Sequence, residues 1–411
     1  MNQRKLYKTI ENIASQKFST VEDLLKHVID EIIVNNELFF TGGRVWKFVP
    51  EKKSYKIIYQ TGNIEKISDN YSVKVNDYPI FLQVAKNKTL LAEETNKYLR
   101  KAGISKYSVT GVGSKIKNDN FIFYEYLLAF NYDAKHGHNI LYQLTIIGSA
   151  VTSALRRNKA EQKTKQFEKD LSKAQEIQQS ILPEHDFQFG DYEMYGVSLP
   201  ELIVGGDFFD YITYPNETER VSVVIGDAAS KGMSAAIQAL YVSGAIRMGT
   251  SFQIHTPSLL YRTNNLVNRT FPYDRFVTLF FAEFINNSTG LCIFSNAGHN
   301  SPIFYKASKN ITEQLPVTGG AIGISPNQQY EIGNINMKKA DILVMFTDGI
   351  SEAMNSEFEQ YTEERLANLV IKLKDLSSKE ICTNIIEDVI SFSNNSAYSD
   401  DKTLVVIKKN K

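Results

Sequence analysis

Pro183 divides the chain into two halves of different composition. Only two of the ten prolines, Pro50 and Pro79, precede it, and a long polar segment with helical periodicity ends there. Residues 1–182 contain 28 Lys and Arg against 19 Asp and Glu, a net charge of +9, whereas residues 183–411 have a net charge of −9. The overall charge of zero is therefore the sum of two unlike halves. A chain of 411 residues also has the length of two or three domains.

The composition excludes several classes of protein. Charged residues make up 22% of the chain and hydrophobic residues 43%, which are values of globular proteins. Cys292 and Cys382 lie in apolar runs and are too few for a disulfide framework or a cysteine-rich zinc site, so we expect buried free thiols. The N-terminus has no apolar signal region, and no stretch of 18 apolar residues occurs. The sequence predicts a cytoplasmic protein without a membrane span.

The first half predicts a small antiparallel sheet flanked by helices. Residues 20–33 have an amphipathic helical stripe, with Thr20 as the N-cap. Residues 89–103 are predicted as helical or irregular, and His136 and His138, in a polar loop, as solvated rather than metal ligands. The remaining predicted elements are strands at 44–50, 54–60 and 121–132 and a helix at 138–162. In element order and length, residues 20–155 resemble a GAF-type sensor domain, and a PAS-like sensor remains an alternative.

Residues 156–182 predict a polar helix that joins the halves. Five positions, four of them apolar, step by four and three residues, as in the a/d seam of a coiled coil: Phe167, Leu171, Ala174, Gln178 and Ile181. An earlier seam at Ile147, Val151, Ala154 and Asn158 does not continue in register. One interpretation is a parallel homodimer helix that transmits a signal through this irregularity. The other is a solvated connecting helix packed on its own domain.

The second half alternates strands and helices, and the whole chain is predicted to be α+β. Ser377 and Glu380 form a capping-box start for the last helix. The predicted strands are 220–228, 276–285, 289–298, 302–308, 340–349 and 402–409, and the predicted helices are 232–248, 256–271, 362–376 and 377–392. This order indicates layered sheets with helices outside.

Acidic residues recur at the ends of the predicted strands. Asp227 and Asp348 each end an apolar strand beside small residues, and Asp400 and Asp401 precede one. Asp207 and Asp210 lie in the segment VGGDFFD. Carboxylates that converge without Lys or Arg would repel one another, and hard divalent ions such as Mg²⁺ or Mn²⁺ prefer oxygen ligands of this kind. Taken singly, each could instead be an ordinary loop, turn or capping aspartate.

The motifs VGGDFFD, IGDAASKGMSAA, SNAGHNSP, FTDGISEA and SDDKTLVVI occur in the order seen in the metal-dependent serine/threonine protein phosphatases. The resemblance covers about residues 173–408 and is closest to the bacterial SpoIIE/RsbU-like branch of this PPM family. It implies three segments: a GAF-like sensor at 1–155, a helical linker at 156–182 and a phosphatase domain at 183–411. The implied phosphatase fold has two antiparallel sheets packed face to face and flanked by helices.

The resemblance also implies a centre with two Mn²⁺ or Mg²⁺ ions. Asp227 would bridge the ions, the carbonyl of Ala228 would bind one of them, and Asp348 and Asp400 would complete the second. Asp207 would lie among or close to the ligands. A hydroxide that bridges the metals would then attack phosphorus in line. Asp210 and Asp401 could hold waters or shape the loop.

The chain departs from the family pattern at one position. Ser230 stands where a glycine is usual, and a turn with positive φ would strain it there. His299 is a candidate for a substrate or proton-transfer role, with loop hydrogen bonding as the alternative. Lys231 could contact phosphate or be a solvated loop lysine.

Two hypotheses follow for function. The first is a sensor-regulated phosphatase that acts on phosphoserine or phosphothreonine of a partner protein, which the branch resemblance suggests is a STAS-type anti-sigma-factor antagonist. The second is a phosphatase-like protein that binds its partner without turnover, favoured only by Ser230. A two-metal nuclease is disfavoured because the acidic half lacks a basic stripe for nucleic acid.

Overall fold

The computed structural model describes residues 11–12, 16, 18–34, 40–101, 104–118, 120–132, 137–214, 217–394 and 399–411, with only the backbone of 137–139. The chain forms two compact units, Met1–Glu168 and Lys169–Lys411. The boundaries expected from the sequence, after residues 155 and 182, stay predictions. No helix in the described ranges is long and apolar enough to span a membrane. His136 lies outside the described residues, as does the side chain of His138.

The N-terminal unit is built on one antiparallel sheet of six strands in the order β3-β2-β1-β6-β5-β4. Its elements are α1 (Val21–Val34), β1 (Phe40–Val49), β2 (Ser54–Gly62), β3 (Ser72–Lys74), α2 (Ile80–Asn87), β4 (Thr89–Glu93), α3 (Lys97–Lys101), β5 (Lys106–Asn118) and β6 (Phe121–Tyr132). The predictions of α1, with its Thr20 cap on the Asp23 amide, and of β6 are confirmed. Strand β5 was missed, and β4 falls in the segment predicted as helical or irregular.

The two faces of this sheet carry separate hydrophobic cores. Helix α1 and the first part of the helix that follows β6 cover one face, where residues such as Val28 and Val151 are fully buried. The opposite face packs an aromatic-rich core that includes Trp46, Phe48 and Tyr55. Strand β1 contributes to both cores, because successive residues of a strand point to opposite faces of the sheet.

Helix α4 (Gly137–Ile181) is continuous over 45 residues. Ile147, Val151 and Ala154 of the earlier seam are buried in the core of the N-terminal unit, so this part of the helix packs on its own domain. Residues 161–170 are all exposed, including Phe167 at 64%. The coiled-coil dimer stays a prediction.

The C-terminal unit contains two antiparallel sheets. Their strands are β7 (Asp186–Phe189), β8 (Tyr192–Leu199), β9 (Phe208–Tyr214), β10 (Glu217–Ala228), β11 (Val277–Ile285), β12 (Leu291–Ala297), β13 (Ile303–Lys306), β14 (Ile311–Gln314), β15 (Gly333–Asn336), β16 (Ile342–Phe346) and β17 (Lys402–Lys409). One sheet has the order β15-β12-β11-β10-β9 and the other β14-β13-β16-β17-β8-β7. The helices are α5 (Met233–Ser251), α6 (Thr256–Thr270), α7 (Asp348–Ser351), α8 (Glu363–Leu373) and α9 (Ser378–Phe392).

The two sheets pack face to face with helices on both outer sides. Val223 of β10 and Met345 of β16 share the core between the sheets. Their neighbours point the opposite way: Val224 packs with α5 and α6, and Val344 packs with α8 and α9. This alternation in buried strands produces four layers, helix–sheet–sheet–helix.

Several local predictions in this unit are confirmed. Ser377 and Glu380 form the capping box that starts α9, and Cys292 and Cys382 are buried free thiols. Strands β7, β8, β9, β14 and β15 were not predicted. In β9, six of the seven residues are buried, so the alternation that marks a half-exposed strand is absent.

Candidate metal centre

The acidic motifs meet because of strand pairing. Phe208 of β9 lies opposite Gly226 of β10, so Asp207, just before β9, falls beside Asp227 near the end of β10. In the other sheet, β16 and β17 are antiparallel neighbours. The end of β16, followed by Asp348, therefore lies at the same edge as the start of β17, preceded by Asp400. Four distant segments thus supply acids to one place.

Asp227 interacts electrostatically with the other acids of this group. Burial, together with the negative charges of Asp348 and Asp400, raises the pKa of its carboxyl to about 7. Burial and the charge of Asp400 also raise the pKa of Asp348. These shifts are what like charges held close together in a poorly solvated site produce.

Asp207 is almost fully buried and connects the two sheets. Thr347 Oγ1 donates a hydrogen bond of 2.7 Å to Asp207 Oδ2 and accepts one of 3.0 Å from the amide of Thr403. Burial and the charge of Asp227 hold the pKa of Asp207 well above its usual value. Thr347 and Thr403 were not predicted from the sequence, although each is a polar residue where an apolar strand meets an acidic motif.

Asp401 shapes the loop that carries Asp207. The amide of Glu201 donates to its Oδ1 at 2.7 Å, and the amide of Gly206 donates to its Oδ2 at 2.6 Å. The carboxylate therefore fixes both ends of residues 201–206, directly before Asp207.

Asp210 is held by an arginine. Arg247 of α5 binds both carboxylate oxygens, with Nη2 2.9 Å from Oδ1, and also donates to the carbonyl of Ile181 at the end of α4. Asp210 is not among the acids that shift the pKa of Asp227. The sequence analysis missed Arg247, which no motif marks.

Lys231 lies among the acids, which corrects the expectation that they converge without Lys or Arg. Its Nζ is 3.1 Å from Asp400 Oδ2 and 3.2 Å from Glu201 Oε2. Burial acts to lower the pKa of Lys231, but hydrogen bonds to Asp400 and Glu201 outweigh this effect and raise it above its usual value. Lys231 is therefore a half-exposed lysine whose ammonium group is ion-paired at this edge.

His299 is buried behind the acidic edge. Its Nδ1 shares a hydrogen bond of 2.8 Å with Thr278, which lies opposite Asp227 in the pairing of β10 and β11. Burial lowers the pKa of His299 to about 4, so the ring is neutral at pH 7. A neutral, buried imidazole favours a structural hydrogen bond to Thr278 over a role as an imidazolium acid at that pH.

Ser230 adopts its position without backbone strain. The positive φ in this turn belongs to Gly232, at 63°, and Ser230 is not among the described residues with positive φ. The Ser230 amide donates to the Ala228 carbonyl at 2.6 Å, and its Oγ accepts from Gln238 at 3.0 Å. The strain that would have favoured an inactive domain is therefore absent.

The donor chemistry of this edge fits divalent ions. Carboxylates that raise one another's pKa require a cation, and a Cβ at Gly206 would lie 3.1 Å from the Ala228 carbonyl, so glycine keeps that oxygen approachable. Within the described ranges, no three or more Asp, Glu, His or Cys side chains are placed so that together they could hold a metal ion. Lys231, Thr347 and backbone amides engage Asp400, Asp207 and Asp401 instead.

Comparison with known proteins agrees with this architecture. Residues 217–410 match the family "Stage II sporulation protein E (SpoIIE)". The chain is 23% identical over 244 residues to phosphoserine phosphatase RsbU of Bacillus subtilis, covering 59% of this chain and 71% of that protein. It is 26% identical over 269 residues to protein IcfG of Synechocystis sp., covering 59% of this chain and 42% of that protein.

A solved structure supports the fold. The PP2C domain of SiaA from Pseudomonas aeruginosa superposes with a TM-score of 0.51 at 16% identity, covering 60% of this chain and 98% of that domain. This likeness concerns the arrangement of sheets and helices. The family match identifies residues 217–410 of the C-terminal unit as a SpoIIE-family domain, and the likeness to the SiaA domain shows the fold alone.

Proposed function

We propose that this protein is a metal-dependent protein phosphatase that hydrolyses phosphoserine or phosphothreonine on a partner protein. The observation that carries the proposal is the meeting of Asp207, Asp227, Asp348 and Asp400 at one edge of the two paired sheets. Burial and the charges of Asp348 and Asp400 accordingly raise the pKa of Asp227. An acid held among other acids at the end of a buried strand is destabilised unless a cation binds there.

The residues that would hold two Mn²⁺ or Mg²⁺ ions are Asp227 and the Ala228 carbonyl, Asp348, Asp400 and Asp207. Such ions, when bound, lower the pKa of water and neutralise phosphoryl charge. Thr347 orients Asp207 by its hydrogen bond, and Asp401 fixes the loop before it. Lys231, paired with Asp400, places a positive charge at the same edge, where a phosphate would arrive.

We further propose that the N-terminal unit, as a GAF-like sensor, regulates the phosphatase through α4 and that the chain forms a homodimer. The ten exposed residues 161–170, with Phe167 among them, leave a helix surface for a second copy. Near the end of the same helix, buried Gln178 exchanges two hydrogen bonds with the backbone of Gly205, two residues before Asp207. A STAS-type anti-sigma-factor antagonist is the proposed substrate, on the branch resemblance.

The test is hydrolysis of p-nitrophenyl phosphate and of a phosphoserine peptide by the full chain with Mn²⁺ or Mg²⁺. We expect metal-dependent turnover, which Asp227→Asn should lower by about a thousandfold or more because it removes the central anionic ligand. Asp274→Asn, a change at an exposed acid, is the matched control and should leave kcat unchanged.

Ser230→Gly separates the two hypotheses from the sequence. Since Ser230 is unstrained, we expect this variant to keep the wild-type rate within about twofold. Absence of turnover with either metal, combined with a gain of activity in Ser230→Gly, would instead support the binding protein without turnover.

A further inference from the structure

The N-terminal unit contains a cavity on the face of its sheet opposite α1. The cavity has a volume of about 50 Å³, is partly open to solvent, and lies between β1, β5 and β6 and the segment that includes α2. Its wall is largely aromatic and aliphatic, with Trp46, Tyr78, Phe81 and Tyr107 among the lining residues. An apolar wall with a few placed polar groups is typical of small-molecule sites.

Arg44 is the cationic group of this wall. It is 2% exposed and lies two residues before Trp46 on β1, so both side chains point to the same face of the sheet. Its Nη1 donates to the side-chain oxygen of Asn131 at 3.0 Å, and its Nη2 donates to the main-chain carbonyl of Glu65 at 3.0 Å. Its Nε is buried and has no hydrogen-bond partner.

Among the residues that the structure describes, no acidic side chain compensates the charge of Arg44. Its two partners are neutral oxygens, and no carboxylate of the described residues forms an ion pair with it. Burial lowers the pKa of the guanidinium to about 10, so it remains protonated at neutral pH. A buried charge without a counterion is costly, and a guanidinium binds carboxylates through paired N–H donors.

The acidic residue in the same wall does not supply this counterion. Glu94 is buried, and its Oε1 accepts hydrogen bonds of 2.8 Å from the Tyr78 hydroxyl and from the amides of Thr95 and Asn96. It therefore serves to hold the turn between β4 and α3. The cavity thus combines an apolar wall with one unsatisfied cationic donor.

We propose that this cavity binds a small organic carboxylate with an apolar or aromatic body, whose carboxylate pairs with Arg44 and whose body packs against Trp46 and Phe81. The inference concerns binding by the N-terminal unit and does not depend on the phosphatase activity. It assigns Arg44 to ligand recognition rather than to holding the fold.

Trp46 makes the proposal directly measurable. It is the single tryptophan of the chain and lines the cavity, so fluorescence excited at the tryptophan band reports on this site alone. The full chain would be titrated with phenylacetate, 3-phenylpropionate and 4-methylpentanoate, and in parallel with phenylacetamide as a neutral isostere. We expect a saturable change with at least one of the acids and none with the amide.

Two variants separate recognition from structure. Arg44→Met should weaken binding of the acid by about tenfold or more, whereas Arg44→Lys should retain part of it. Ala129→Phe, which fills the cavity and keeps Arg44, should abolish the signal. The melting temperature of ligand-free Arg44→Met should equal or exceed that of the wild type, because a buried uncompensated charge is removed.

The outcomes that overturn the proposal are equally definite. They are no saturable response to any of the three acids, equal binding of phenylacetate and its amide, or unchanged binding by Arg44→Met. A marked fall in the melting temperature of ligand-free Arg44→Met would show that Arg44 is a structural bridge between Asn131 and the Glu65 carbonyl.

Discussion

The two units bury charge in opposite ways. In the N-terminal unit one guanidinium, Arg44, lies deep in an apolar layer, and its pKa is lowered by burial alone. In the C-terminal unit several carboxylates meet at the edge of a sandwich, and the pKa of Asp227 is raised by burial and by its neighbours. A lone cation among aromatic rings suits a monovalent anion with an apolar body. Converging anions beside approachable backbone oxygens suit multivalent cations.

The uncompensated charges of the two units affect the stability of the folded chain. In each unit the ligand of opposite charge would bind the folded chain and not the unfolded one, so it would stabilise the fold. Without ligands, the buried charges of each unit lower the free energy of unfolding. This loss of stability depends on pH near neutrality in the C-terminal unit, because Asp227 titrates there, but not in the N-terminal unit, because Arg44 does not.

The largest expected effect is on metal-free stability between pH 7.5 and 5.5. The folded pKa of Asp227 lies above its unfolded value, so the folded chain binds more protons and stability is lost as pH rises through about 7. Acidification should therefore raise the free energy of unfolding by about 2 kcal/mol from Asp227 alone, measured by urea denaturation in the presence of a chelator.

Two controls sharpen this measurement. Asp227→Asn should remove most of the pH dependence, and saturating Mn²⁺ should raise stability at pH 7.5 and flatten the profile. Arg44→Met should leave the profile unchanged. Stability that falls on acidification over this range in the metal-free wild type would contradict the electrostatic account of the acidic edge.

A smaller effect is expected for Asp401→Ala. The change frees the amides of Glu201 and Gly206, which bind a charged acceptor, and loosens the loop before Asp207. We expect a loss of about 1–2 kcal/mol in unfolding free energy and a fall in kcat of about tenfold, with the loss of repulsion among the acids offsetting part of the cost. Asp375→Ala, at an exposed acid, is the matched control. An unchanged kcat would show that the loop keeps its shape without Asp401.

The smallest effect is expected for Gln178→Ala. It removes both hydrogen bonds to Gly205 and should cost about 1 kcal/mol, with a larger relative change in the metal concentration needed for half-maximal activity than in stability. Gln179→Ala, at the exposed neighbouring position, should change neither quantity. If Gln178→Ala and Gln179→Ala have the same metal dependence, the hydrogen bonds from α4 to Gly205 do not influence metal binding at the acidic edge.

Prediction from sequence succeeded where a pattern was local. Thr20 with Asp23, and Ser377 with Glu380, are helix N-caps formed by residues close together in the sequence. Both caps are present in the structure. Strand β9 was missed because nearly all its residues are buried, which removes the alternation on which recognition depends. Strand β5 was missed for another reason: two glycines interrupt its apolar pattern, although it forms a hairpin with the β6 strand that follows it.

The sequence by itself determined the division at Pro183, the acidic segments and their order, because composition and motifs are properties of the chain alone. Only the tertiary structure decided which charges meet. It paired Asp210 with Arg247 and Asp400 with Lys231, and it placed Arg44 in an apolar cavity where no carboxylate of the described residues pairs with it. The physical reason is that electrostatic energy depends on distance and solvation, and both are set by which strands become neighbours rather than by spacing along the chain.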